Sequence, residues 1–134
     1  MILETLKLRS YRNLGNIDLT WNNHFNVIYG ENAQGKTNLL EAIYLLGHLK
    51  SFRGARGQDL INHTAETAFI SAMVDKGNVA HKLDIGLQKA GRNPRVDGKT
   101  VKKLSEFLGY LRTVLFTPEE LGSIKGFPAG RRAL

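Results

Sequence analysis

The sequence predicts a mixed α/β fold, with an antiparallel β layer around one central helix. Three observations predict it. Residues 30–37 read Gly-Glu-Asn-Ala-Gln-Gly-Lys-Thr, which is the pattern G-x-x-x-x-G-K-[ST]. A β-forming run, Phe25 to Tyr29, precedes that stretch, and an apolar helical pattern from Asn38 to Leu49 follows it. Most of the remaining chain falls into short alternating segments separated by turn residues, with no internal repeat and no linker.

Strand, glycine loop and helix in that order are the setting of a phosphate-binding loop, the Walker A motif. A loop of this shape turns successive backbone N–H groups toward one anion. Gly30 and Gly35 allow backbone angles and approaches that a Cβ would block. Lys36 can reach the β- and γ-phosphates, and the Thr37 hydroxyl can ligate Mg²⁺. The helix that follows directs its positive end at the same anion. Gly30, Glu31, Asn32, Ala33, Gln34, Gly35, Lys36, Thr37 and Asn38 are therefore the candidate nucleotide-binding residues. A chance match in a chain of this composition has odds on the order of one in a hundred.

The elements follow in order. Met1 to Arg9 alternates, with Ile2, Leu6 and Leu8 on one face and Leu3 as an extra apolar residue on the other, and reads as a strand. Ser10 to Asn13 is turn-prone, and Ile17, Leu19 and Trp21 mark a second strand. Asn22-Asn23-His24 is a turn, and Phe25 to Tyr29 a third strand feeding the loop. Apolar residues surround most of the next helix, which predicts burial on several sides. Phe69 to Asp75 and His81 to Gln88 read as strands joined through Lys76-Gly77-Asn78, with a turn over Lys89 to Asn93. Asp97-Gly98 marks a tight hairpin. Val101 to Leu108 has helical spacing, Thr113 to Phe116 reads as a short strand, and Pro118 opens a helix with Thr117 as N-cap.

The 134 residues predict one domain, 1–134. A net charge of +7 points to a polyanionic partner, nucleic acid above all, although many small domains are basic for solubility alone. Lys50, Arg53 and Arg56 cluster where the central helix ends. They are candidate contacts to DNA or to a second subunit, the alternative being a solvated loop. The absence of cysteine excludes disulfides, cysteine-based zinc sites and a cysteine nucleophile. No run approaches the ~20 apolar residues of a membrane span, so a cytoplasmic location is the default expectation.

A Walker B strand, apolar and ending in an acid, has no good match. Ala72-Met73-Val74-Asp75 is nearest, but it lies in the presumed β layer. Without that acid there is no second magnesium ligand and no carboxylate to orient an attacking water. No catalytic residue is assigned, and little hydrolysis is expected of this chain alone.

Several segments together resemble the RecF family of bacterial recombination proteins. They are Ser10 to Leu14, Gly30 to Tyr44, Lys50 to Arg53, Phe116 to Leu121 and Lys125 to Pro128, in that order. RecF proteins are ABC-type ATPases related to the heads of SMC and Rad50 proteins. The resemblance implies an N-terminal part of such a head, with the signature motif and Walker B downstream. It implies ATP and Mg²⁺ as cofactors, an ATP-dependent homodimer, DNA as partner, and recombinase loading at gaps with RecO and RecR. It places Arg12, after the first strand, near the nucleotide phosphates. It leaves a departure: no glutamine stands near Thr117 to Glu120, so Glu119 or Glu120 could serve near the metal or simply favour a helix start. Two other classes stay open, a different P-loop enzyme such as a small kinase, and a non-catalytic basic DNA-binding module.

Overall fold

The computed structural model describes residues 1–31 and 33–116. Its centre is a six-stranded antiparallel sheet in the order β2-β1-β3-β4-β5-β6. The strands are β1 (Ile2–Tyr11), β2 (Gly15–Thr20), β3 (Ala68–Lys76), β4 (Val79–Gln88), β5 (Gly91–Val96) and β6 (Lys99–Thr100). Helix α1 (Ala33–His48) lies on one face, and a single turn, α2 (Gly57–Leu60), sits near the end of β4.

Alternation sets the faces. Leu6 and Leu8 of β1, Ile70, Ala72 and Val74 of β3, and Leu83, Ile85 and Leu87 of β4 are all buried. They meet Leu39, Ala42, Leu45, Leu46 and Leu49 of α1 in one core. Burial of this apolar surface is the main stabilising term. Two hairpins use the twist-compatible two-residue turn, with positive φ at Gly77 and Asn78 and again at Asp97 and Gly98. The expected Asp-Gly hairpin is therefore present.

Five expectations change. In β1 the pairing with β3 shifts between Leu3 and Thr5, and Leu3 then opposes the buried Val74. The bulge reverses the alternation, so Leu3 rather than Ile2 packs on the core. Phe25 to Tyr29 is not a strand. It has no ladder partner, and Phe25, Val27 and Tyr29 are exposed. Thr113 to Phe116 is likewise irregular, with Val114 and Phe116 exposed. Val101 to Leu108 forms only a 3-10 turn at Leu104–Glu106, because its anchor Phe107 is reached by a tight turn rather than by a full helical face. Finally, β5 begins at Gly91, so Arg92 and Asn93 belong to a strand and not to the preceding turn.

Helix α1 is also buried less evenly than its composition suggests. Leu40 is exposed and Ile43 and Tyr44 are half-buried, since the sheet covers one side of the helix. Toward its C-terminal end the segment around Leu111 and Thr113 comes close. A Cβ on Gly47 would stand 2.6 Å from the Thr113 hydroxyl. His48 is 3.1 Å from the Thr113 carbonyl and stacks on Tyr44. The helix expected from Pro118 lies outside the described residues.

The closest approach between layers is at Gly57, where a Cβ would meet the Gln88 carbonyl oxygen at 2.4 Å. That oxygen is backbone and cannot swing away. Gly57→Ala should therefore destabilise the fold by about 1–3 kcal/mol through overpacking. A thermal melt should show a midpoint lowered by several degrees; an unchanged midpoint would mean that α2 can lift off β4 without loss.

Candidate functional site

The phosphate loop begins at Gly30, whose φ of +146° is one that residues with a Cβ rarely adopt. The first turns of α1 start directly after it, so Gln34, Gly35, Lys36 and Thr37 are helical. The Lys36 ammonium donates to the Gly30 carbonyl, which ties the two ends of the loop together. Glu31 and Gln34 are exposed, whereas Gly35 and Asn38 are buried. Asn32 and the side chain of Ala33 lie outside the described residues, as do Glu119 and Glu120.

One turn into α1 the inner face becomes polar. Asn38 and Glu41, three residues apart and so on one side of the helix, are both buried. Glu41 is completely buried and is met by four side chains. The Tyr11 hydroxyl donates to Oε1 at 2.5 Å and the Ser51 hydroxyl to Oε2 at 2.6 Å. Arg12 binds in a two-pronged manner, Nε to Oε1 at 2.7 Å and Nη2 to Oε2 at 3.1 Å. Arg53 places Nε 3.2 Å from Oε2 and Nη2 3.0 Å from Oε1. Arg53 Nη2 also donates to Asn38 Oδ1 at 2.6 Å, and Asn38 Nδ2 donates to Asn13 Oδ1 at 2.6 Å. Three chain segments thus converge on one carboxylate: the end of β1, the inner face of α1, and the loop after α1.

The electrostatics follow from that geometry. Burial pushes the Glu41 carboxyl up, but the hydrogen bonds from Arg12, Ser51, Tyr11 and Arg53 outweigh it and hold the group below its ordinary range. Burial, followed by the Glu41 charge, drives the Tyr11 phenol well above its usual value. Two guanidinium groups face one carboxylate, so the cluster carries one positive charge in excess.

The expected site residues divide accordingly. Arg12 is brought to the phosphate loop, but with its Nε and one Nη2 hydrogen committed to Glu41. A groove of about 370 Å³ is lined by Arg12, Asn13, Gln34, Asn38, Asn62 and neighbouring side chains, so it opens beside the first turn of α1. The expected basic cluster is split. Lys50 and Arg56 are exposed and have no ion-pair partner among the described residues, whereas Arg53, also exposed as a residue, directs its guanidinium onto Glu41. Asp75, the nearest thing to a Walker B acid, pairs with Ile2 at the start of β1. Tyr11 ends that strand nine residues on, about 30 Å away at the usual rise of a strand. Asp75 therefore cannot serve this loop. Among the described residues no group of three or more acids and histidines could hold a metal ion.

Sequence reading missed Glu41, Tyr11 and Ser51. A signal was present for Glu41. It is a lone carboxylate one turn from Asn38 and one turn from Leu45, on the face that packs inward. Its partners, far away in sequence, could not be read.

Comparison with known proteins identifies relatives of this chain. The family model described as RecF/RecN/SMC N terminal domain matches residues 2–123. The chain is 46% identical over 132 residues to the DNA replication and repair protein RecF of Citrifermentans bemidjiense, covering 98% of this chain and 36% of that protein. It is 42% identical, with the same coverages, to RecF of Lacticaseibacillus casei. Among solved structures it matches the recombination mediator protein RecF with ATP at a TM-score of 0.85 and 36% identity, covering 98% of this chain and 36% of that one. The SMC head domain from Thermotoga maritima aligns at a TM-score of 0.59 and 20% identity over 79% of this chain and 40% of that one, a likeness of fold alone. The fold is thus a mixed α/β, P-loop, ABC-ATPase-like one. The chain spans 36% of the length of the RecF proteins it matches.

The Glu41 cluster has a pH signature. A carboxyl held below its ordinary value of 4.5 contributes stability that is complete above that value. The contribution is lost as the pH falls through the depressed folded value. Thermal melts of the wild type and Glu41→Gln from about pH 7 to about pH 3 should show the wild-type midpoint falling more steeply at the acid end. Parallel curves would show that this carboxylate contributes nothing as an anion.

Proposed function

Because the chain belongs to the RecF/RecN/SMC N-terminal domain family, we propose that it is the N-terminal part of an ATP- and DNA-binding ATPase head of RecF type. The observation that carries this reading is the phosphate loop, residues 30–37, opening helix α1 with Gly30 at a positive φ that a Cβ would strain. The matched RecF structure described with ATP supports it.

In this reading the backbone N–H groups of residues 30–37 hold the triphosphate. Lys36 leaves the Gly30 carbonyl for the β- and γ-phosphates, and Thr37 takes Mg²⁺. The groove beside Gln34 and Arg12 adjoins the loop and offers amide and guanidinium donors to the same phosphates. Held by the Thr37 hydroxyl, Mg²⁺ would supply positive charge that offsets the charge of the phosphates. Arg12 adds its uncommitted N–H groups to the same anion. Bound ATP supports a homodimer, and Lys50 and Arg56 offer phosphate contacts to DNA.

In this reading Walker B and the signature motif lie downstream of the part matched here, which is 36% of the relative's length. Hydrolysis by this chain alone is therefore expected to be negligible. Recombinase loading with RecO and RecR, in the cytoplasm, is the cellular role that fits such a head. Among the described residues no helix is long and apolar enough to cross a membrane.

Calorimetry with Mg·ATP tests the reading. The wild-type chain should bind, and Lys36→Ala should weaken binding at least about tenfold by removing a charge-assisted contact to phosphate. Equal affinity in the two proteins would place the nucleotide elsewhere or nowhere. DNA binding should be tested separately by fluorescence anisotropy, where phosphate contacts give affinity that falls steeply with salt. Binding that ignores salt would exclude Lys50 and Arg56 as phosphate contacts.

A further inference from the structure

We propose that Glu41 is a positioning residue, one that clamps Arg12 and Arg53 onto helix α1 so that the phosphate loop and the basic loop after α1 hold one fixed relation. The inference rests on the nucleotide-binding reading above and goes beyond it in assigning the residue that sets the geometry of the two arginines.

Glu41 has no exposed surface and cannot touch a ligand itself. Its whole hydrogen-bonding capacity is spent on protein: two hydroxyls and two guanidinium groups. A buried carboxylate with a single partner would be costly, and one with four is held rigidly. The clamp adds to the Asn13–Asn38 hydrogen bond between the turn after β1 and α1. Arg12 follows β1 with a positive φ of 44°, an uncommon backbone state for a residue with a Cβ. Its backbone carbonyl is held in turn by Asn62 Nδ2 at 2.8 Å. Ser51 and Arg53 bring the loop after α1 back onto the same helix, and the Ser51 hydroxyl also accepts the Arg53 N–H at 3.1 Å. Arg53 then reaches Asn38, the residue next to Thr37 of the phosphate loop.

Charge balance gives the clamp a direction. One carboxylate offsets one of two arginines, and the remaining positive charge is half-buried beside the groove that adjoins the loop. Without Glu41 both guanidinium groups would be uncompensated and free to turn to water. With it, their remaining N–H groups stay on a fixed side of α1.

The test compares wild type with Glu41→Gln, which keeps the side-chain volume but removes the charge. Arginine Nε–H signals in ¹⁵N-edited NMR report the clamp directly. Wild type should show slowly exchanging signals for Arg12 and Arg53, and the variant should lose both. In the same pair, affinity for Mg·ATP should fall about tenfold while affinity for adenosine changes less than about twofold, the size expected for misplaced charge-assisted contacts. Retained arginine signals in Glu41→Gln would overturn the inference. So would an equal loss for ATP and adenosine, which is what general loosening would give. If wild type binds no ATP, the nucleotide reading of this chain fails while the arginine signals still decide the clamp. If Glu41→Gln does not fold, Arg53→Ala replaces it: the Arg12 signal should persist and ATP affinity should fall, and unchanged affinity would overturn the inference.

Discussion

Everything distinctive about this domain depends on the burial of one carboxylate. Glu41 sits on the inner face of α1, next to Ala42 and one turn before Leu45, where an apolar residue would ordinarily pack. An unpaired charge in that position would be expelled or neutralised. The chain instead brings it two arginines and two hydroxyls, all from segments outside the helix. The apolar core makes α1 lie on the sheet, but apolar contact is non-directional. The polar cluster is directional. It fixes where along the helix the end of β1 and the following loop must stand, and thereby where the phosphate loop stands relative to both.

Helix α1 thus does two jobs along its length. Its first turns carry Gly35, Lys36 and Thr37 of the phosphate-loop pattern. Its second turn carries Asn38 and Glu41, which face inward and organise side chains. Only then does it become an ordinary amphipathic helix, with Leu45, Leu46 and Leu49 in the core. A helix that was apolar throughout would pack as well, yet it would not select one arrangement of Arg12 and Arg53.

The parts legible in the sequence are those set by local rules. Alternation gave β1, β2, β3 and β4, positive-φ residues gave the Asp97-Gly98 turn, and the glycine and lysine spacing gave the loop. The parts that were not legible depend on distant partners. Phe25 to Tyr29 and Thr113 to Phe116 have strand composition, but a strand exists only as one side of a ladder, and neither segment has a ladder partner. The β1 bulge depends on β3, some seventy residues away, and reversed the assignment of Ile2 and Leu3. Arg53 reads as a surface charge among Lys50 and Arg56, and nothing local says that it turns inward. Its acceptor, Glu41, lies twelve residues earlier within a different element.

That last misreading has a general cause. A run of basic residues in a loop invites treatment as one patch, because charge is additive in a composition. In the fold the three side chains answer different forces. Lys50 and Arg56 remain in water, where an ammonium or guanidinium is well solvated. Arg53 has a planar fork that can meet a carboxylate and an amide at once, which a lysine could not do. Its inward turn leaves the loop with one arginine that reads the state of α1 and two cations that face outward. A charge cluster that looks uniform in sequence is therefore a connection between an interior site and a surface, and Glu41 is what gives it that direction.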